Sequence, residues 1–110
     1  MDSRVDKFIS DRIESLPHLE GLLLLWRNQN DAWTAAQTAE RLWISKEHAG
    51  QLLEDLTRQG LISRAEEGRY RYPADSSHAE LMQSVDRAYR NEMIRISTMI
   101  HERRSAGSNL

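Results

Sequence analysis

The stretch of sequence that decides the fold is WTAAQTAERLWISKEHAGQLLEDLTRQGLI, residues 33–62. Thr34 and Gln37 match a capping box, in which a hydroxyl and an amide three residues later start a helix. Ser45 is a second N-cap candidate, and Gly60 is well placed to end the helix that Ser45 begins, with a positive φ. The stretch therefore predicts a short helix, a tight turn and a second helix.

Two short strands are predicted directly after this stretch, joined by a hairpin turn at residues 66–68. In the second strand Arg69 and Arg71 alternate with Tyr70 and Tyr72. Because successive side chains of a strand point to opposite faces, the two arginines share one face and the two tyrosines the other. We expect the tyrosines to pack on the core. For the arginines, a phosphate contact and a solvated surface are equally supported.

Helical spacing of apolar residues extends on both sides of the central stretch. It predicts helices over about 3–15 and 18–29, with Pro17 separating them because proline disrupts the interior of a helix. From Leu81 to Ile100, apolar residues recur at three- and four-residue spacing without an intervening glycine or proline. One long helix is expected there, over about 78–104.

Composition excludes several classes of protein and site. The chain has 110 residues, 39% of them hydrophobic, and no cysteine, so disulfides, Cys-ligated metals and thiol nucleophiles are impossible. Its 15 Lys and Arg face 17 Asp and Glu, which excludes a basic arm. No spacing typical of a metal, cofactor or catalytic site occurs, so we expect neither an enzyme nor a cofactor. The longest apolar run, at 22–26, is too short to cross a membrane, no signal peptide is visible, and the expected location is cytoplasmic.

The motifs together resemble a known family. Ala39 and Leu42 sit where a first short helix faces inward, Leu53 and Leu56 repeat on the second helix, and Gly-Leu-Ile at 60–62 leads into the hairpin. This order resembles the winged helix-turn-helix, and the flanking helices are similar to those of small MarR-type and PadR-type transcription regulators. The resemblance implies a homodimer that binds double-stranded DNA, with the second helix in the major groove and the hairpin, or wing, beside the backbone.

The expected fold class is mainly α with a small β-hairpin, a winged helix-turn-helix flanked by an N-terminal helix and a long C-terminal dimerisation helix. We expect a single winged-helix domain over residues 1–104. Its expected parts are N-terminal helices (3–32), the helix-turn-helix core (33–62), the wing (61–73), the dimerisation helix (77–104) and a disordered tail beyond it (105–110).

The candidate DNA-contacting residues lie on the second helix and the wing. Gln51 suits an adenine edge and Glu47 suits cytosine N4, whereas Glu54 would meet phosphate with like charge or pair with Arg58 four residues on. The second helix is slightly acidic, so the wing has to supply much of the phosphate contact. The full candidate set is Ser45, Lys46, Glu47, Gln51, Arg58, Arg64, Arg69 and Arg71.

A second expected surface joins two copies of the chain. The apolar stripe of the last helix is long for one small domain to cover, and uncovered apolar surface of this kind marks a partner. The candidate dimer residues are Phe8, Tyr89, Met93, Ile96 and Ile100. Core packing is expected for Trp26, Trp33 and Trp43. The alternative function is a winged-helix adaptor that binds another protein rather than DNA.

Overall fold

A computed structural model describes residues 3–73 and 78–108, with side chains as far as residue 102. The described residues are mainly helical, with six α-helices and one two-stranded antiparallel hairpin, which confirms the coarse fold class. The chain, expected as a single domain, divides into two compact units. Met1–Leu16 with Ser77–Leu110 form the terminal unit, and Pro17–Ser76 form the central unit.

Three helices precede the hairpin in the central unit. They are α2 (Leu16–Arg27, entering the unit at Pro17), α3 (Ala35–Leu42) and α4 (Lys46–Arg58). Pro17 lies in the first turn of α2, where the missing N–H has no partner to lose. The proline therefore begins a helix here, as the sequence predicted.

Local capping sets the ends of α3 and α4. Thr34 Oγ1 accepts from the Gln37 N–H at 3.1 Å, and Gln37 Oε1 accepts from the Thr34 N–H at 3.0 Å. Ser45 Oγ accepts from the His48 N–H at 3.0 Å. Gly60 follows α4 with φ of +74°. Both predicted caps and the predicted positive φ are confirmed.

The core of the central unit lies between apolar helix faces. On α4 the stripe Ala49, Leu52, Leu53 and Leu56 is at most 1% exposed. A Cβ added at Gly21 on α2 would meet Leu52 Cδ1 at 2.7 Å, so the glycine permits the close approach of α2 to α4.

The hairpin is short and is extended by one residue from before α3. Strand β1 (Ser63–Arg64) pairs antiparallel with β2 (Tyr70–Arg71), and a 3₁₀ turn over Glu66–Gly68 forms the tip. Trp33 adds an isolated antiparallel bridge, in which the Trp33 N–H donates to Tyr70 O at 2.7 Å and the Tyr70 N–H returns to Trp33 O at 2.8 Å. The strands are thus shorter than predicted, but the hairpin lies where the sequence placed it.

The terminal unit contains the other three helices, α1 (Ser3–Arg12), α5 (Ala79–Asn91) and α6 (Met93–Ser108). The predicted single helix over 78–104 is wrong in one respect, because Glu92 interrupts it with φ of −134° and ψ of 40°. Backbone hydrogen bonds of the helical type are present both before and after Glu92.

Polar contacts of Arg95, one local and one to a distant helix, accompany the break. Arg95 Nη1 lies 3.1 Å from both carboxylate oxygens of Asp6 on α1, and its Nε donates to Glu92 Oε1 at 2.8 Å. This network fixes the start of α6 against α1. A search for helices that could cross a membrane found no candidate in the described part of the chain.

Candidate functional site

The N-terminal half of α4 presents a polar, exposed face. Lys46, Glu47, His48 and Gln51 are exposed, because the buried stripe of this helix occupies the opposite side. The four residues carry one basic and one acidic side chain, a histidine and an amide. This face can make hydrogen bonds of several kinds without a net excess of negative charge.

Glu54, the first acidic residue in the C-terminal half of α4, is bound by the hairpin. The Glu54 carboxylate accepts a hydrogen bond from the Tyr70 hydroxyl on one oxygen and from Arg64 on the other. The hydrogen bond from Tyr70, with Arg64 adding to it, outweighs desolvation and lowers the pKa of Glu54. The same bond raises the pKa of Tyr70. Glu54 therefore does not present an unpaired charge to a partner, contrary to the sequence expectation.

The second acid, Asp55, is held within the helical part of the unit. Its side chain is only 12% exposed, and its Oδ2 lies 2.9 Å from His18 Nε2 on α2. Burial raises the pKa of Asp55, but hydrogen bonds from His18 and Gln51, together with the charge of Arg58, leave it lowered. Arg58, expected to pair with Glu54, contacts Asp55 instead, three residues away on the same helix.

The hairpin register separates the three candidate arginines. Arg64 lies opposite Tyr70, and Arg71 lies opposite Ser63. Residues directly opposite each other in an antiparallel pair share a face. Arg64 is therefore on the side of Tyr70, bound to α4, while Arg69 and Arg71 share the other face, as the alternation predicted.

Neutral oxygens are the partners of the two remaining arginines. Arg69 Nη1 donates to Gln37 Oε1 at 3.2 Å and to Ala32 O at 3.4 Å. Arg71 is exposed, and its Nη2 donates to Gln29 O at 3.5 Å. In the described residues neither guanidinium has a carboxylate partner, so both retain charge that an anionic partner can use.

The three tryptophans differ sharply in exposure. Trp33 is 8% exposed and Trp26 is half-buried, but Trp43 is 93% exposed. The expectation of core packing is wrong for Trp43. The residue ends α3 in the left-handed conformation, with φ of +59°, and its N–H donates to Ala39 O. The C-cap thus needs the backbone of Trp43, while the indole projects into solvent.

The candidate dimer residues are split between core and surface of the terminal unit. Tyr89 is half-buried, and Met93 is 49% exposed. The other three are already buried within one chain: Phe8, Ile96 and Ile100. Ile94, which lies off the apolar stripe and was missed in the sequence, is 82% exposed. In the described part of the terminal unit, the exposed large apolar side chains therefore lie at the start of α6.

The chain was compared with protein-family models, with curated proteins and with solved structures, and no match was found in any of the three.

Proposed function

We propose that the chain is a cytoplasmic, homodimeric transcription regulator of the winged-helix type that binds double-stranded DNA through α4. The observation that carries this proposal is the state of α4. Its N-terminal half is exposed, while the two acids of its C-terminal half are paired with basic side chains of the same unit, Glu54 with Arg64 and Asp55 with Arg58.

The order of elements supports the winged-helix arrangement. Three helices, a tight turn between the second and third, and a hairpin closed by Trp33 follow one another in the central unit. In helix-turn-helix proteins the N-terminal residues of the second helix contact base edges. The exposed half of α4 is the half that this geometry brings to the bases.

Each exposed side chain then has a role suited to its chemistry. Gln51 is the reader of an adenine edge, and Glu47 accepts from cytosine N4. Lys46 and Arg71 contact phosphates, with Arg69 on the same hairpin face as Arg71. Ser45 caps the N-terminus of α4 and so holds the start of the DNA-contacting helix in place. Arg64 docks the hairpin on α4 rather than contacting DNA.

The proposed dimer uses the start of α6. Met93 and Ile94 are exposed there, and a two-fold contact would cover the same residues on both copies. Tyr89 lies one turn earlier in sequence. A stable interface requires more than about 1,000 Å² of total buried area, so α1 or α5 must contribute as well.

Fluorescence anisotropy with random and genomic duplexes at low salt tests DNA binding. Lys46→Ala and Arg71→Ala should weaken binding to every sequence and flatten its salt dependence, because each removes a phosphate contact. Lys7→Ala, which removes one exposed lysine from α1, is the matched control and should leave binding unchanged. Gln51→Ala should relax sequence preference. Absence of binding tighter than about 10⁻⁴ M would refute the proposal.

A second candidate function is supported by Trp43. A fully exposed tryptophan is a common energetic anchor of protein–protein interfaces. A winged-helix adaptor would use Trp43 to bind another protein. A photo-crosslinking amino acid at position 43 should capture one partner that the same amino acid at Arg27 does not. With that partner purified, Trp43→Ala should weaken the affinity of the chain for it at least about tenfold. A loss of this size is expected when one side chain of moderate energetic weight is removed from an interface.

A further inference from the structure

A groove of about 600 Å³ lies in the central unit, away from the exposed face of α4. It is formed by the segment before α3, by α3 itself and by the start of β2. Its volume falls within the range of about 300–1,000 Å³ typical of small-molecule sites. Nothing in the DNA-binding proposal requires this groove.

An aromatic ring with an unsatisfied donor lines the groove. Trp33 is 92% buried, and its Nε1 is enclosed without a hydrogen-bond partner in the described part of the protein. Buried N–H groups are rarely left unpaired, which makes this nitrogen unusual among the described residues. The Arg41 guanidinium carbon lies 5.2 Å from the ring centroid. Arg41 is exposed and can follow a ligand.

Four charged side chains also line the groove, two of each sign. They are Asp31, Glu40, Arg41 and Arg69. Across the described residues none of the four takes part in an ion pair, although opposite charges border the same groove. By contrast, acids elsewhere, such as Asp6 and Asp55, are paired with cations. Separate, unpaired charges of both signs fit a ligand that itself carries both.

We propose that this groove binds a small zwitterion of the α-amino-acid type. The ligand carboxylate is held by Arg41 and Arg69, since guanidinium groups bind carboxylates with two parallel hydrogen bonds. The ligand ammonium is held by Asp31 and Glu40. Its side chain lies against the indole. The proposal is independent of whether α4 binds DNA.

Thermal shift and calorimetric titration with each free proteinogenic amino acid, at about 10 mM, test the proposal. At least one should raise Tm and bind saturably. The N-acetyl form keeps the carboxylate, and the amide form keeps the ammonium. Each should bind at least about tenfold more weakly than the free amino acid.

Substitutions in the groove test which charged side chains bind the ligand. Arg41→Gln and Glu40→Gln should each weaken binding at least about tenfold, whereas Arg41→Lys should restore part of it. Arg87→Gln on α5 is the matched control and should bind normally. Arg41, Glu40 and Arg87 are exposed and take part in no ion pair among the described residues, so circular dichroism without ligand should match the parent protein. Three results would each overturn the proposal: no amino acid raises Tm, blocked forms bind equally well, or Arg41→Gln binds normally.

Discussion

Substituting Trp43 with glycine should raise the free energy of unfolding, although it removes the largest type of side chain. The left-handed backbone at Trp43 costs a residue with a Cβ about 1–2 kcal/mol. Glycine avoids this cost but loses about 0.5–1 kcal/mol through its greater freedom in the unfolded chain. The indole is 93% exposed, so its removal forfeits little burial. The two ranges leave an expected net gain of about 0–1.5 kcal/mol, with a midpoint near 0.75 kcal/mol.

The assay is urea denaturation followed by circular dichroism, with Trp43→Ala as the matched variant. Alanine also removes the indole, but it keeps the Cβ and therefore the strain. The glycine variant should exceed the alanine variant by about 1 kcal/mol, a Tm difference of roughly 4–8 °C for a domain of this size class.

Two outcomes would refute this reasoning. If both variants lose more than about 1 kcal/mol, the indole packs against the protein and does not project into solvent. If both variants match the parent protein, the left-handed conformation carries no strain at this position. The first outcome would also remove the support for Trp43 as an exposed anchor for a protein partner.

The remaining predictions concern the helix end, the hairpin and the dimer. Gly60→Ala should destabilise the protein by about 1 kcal/mol through backbone strain alone, because a Cβ there meets no atom within 4 Å; unchanged urea denaturation would contradict this. The pKa of Tyr70 should lie above the usual phenol range, since its hydroxyl donates a hydrogen bond to the Glu54 carboxylate, and in an absorbance titration Glu54→Gln should lower that pKa again. The stabilisation linked to the raised pKa of Tyr70 is fully present below the ordinary tyrosine pKa and is lost as pH rises through the raised value. If the proposed dimer forms, Ile94→Glu should reduce it to a monomer in sedimentation at micromolar concentration, and a monomeric parent protein would exclude it.

The features that the sequence predicted well are those decided by neighbouring residues. The Thr34–Gln37 capping box, the Ser45 cap and the left-handed Gly60 each depend on backbone geometry over one turn, and all three are present. The hairpin position likewise follows from a short turn signal at 66–68. Such signals do not require knowledge of where distant parts of the chain lie.

The features that the sequence missed are set by distant residues. Glu54 reaches Tyr70 rather than Arg58 because the hairpin folds back over α4, a contact that helical spacing cannot show. The break at Glu92 accompanies ion pairs of Arg95 that include one to Asp6, far away in the chain. Trp43 is a different case, because its place in the turn between two helices favoured core packing, whereas its indole is 93% exposed.

The bridge between Trp33 and Tyr70 has a consequence for how the central unit opens. Its two hydrogen bonds join the residue before α3 to the strand after α4, so they close that whole segment into a loop. Closing a loop of this length costs entropy that the enclosed helices must offset by packing. The amide protons of Trp33 and Tyr70 should therefore exchange with solvent together, in the same local opening that breaks the bridge. A pairing of a single residue thereby sets the boundary of a cooperative opening unit.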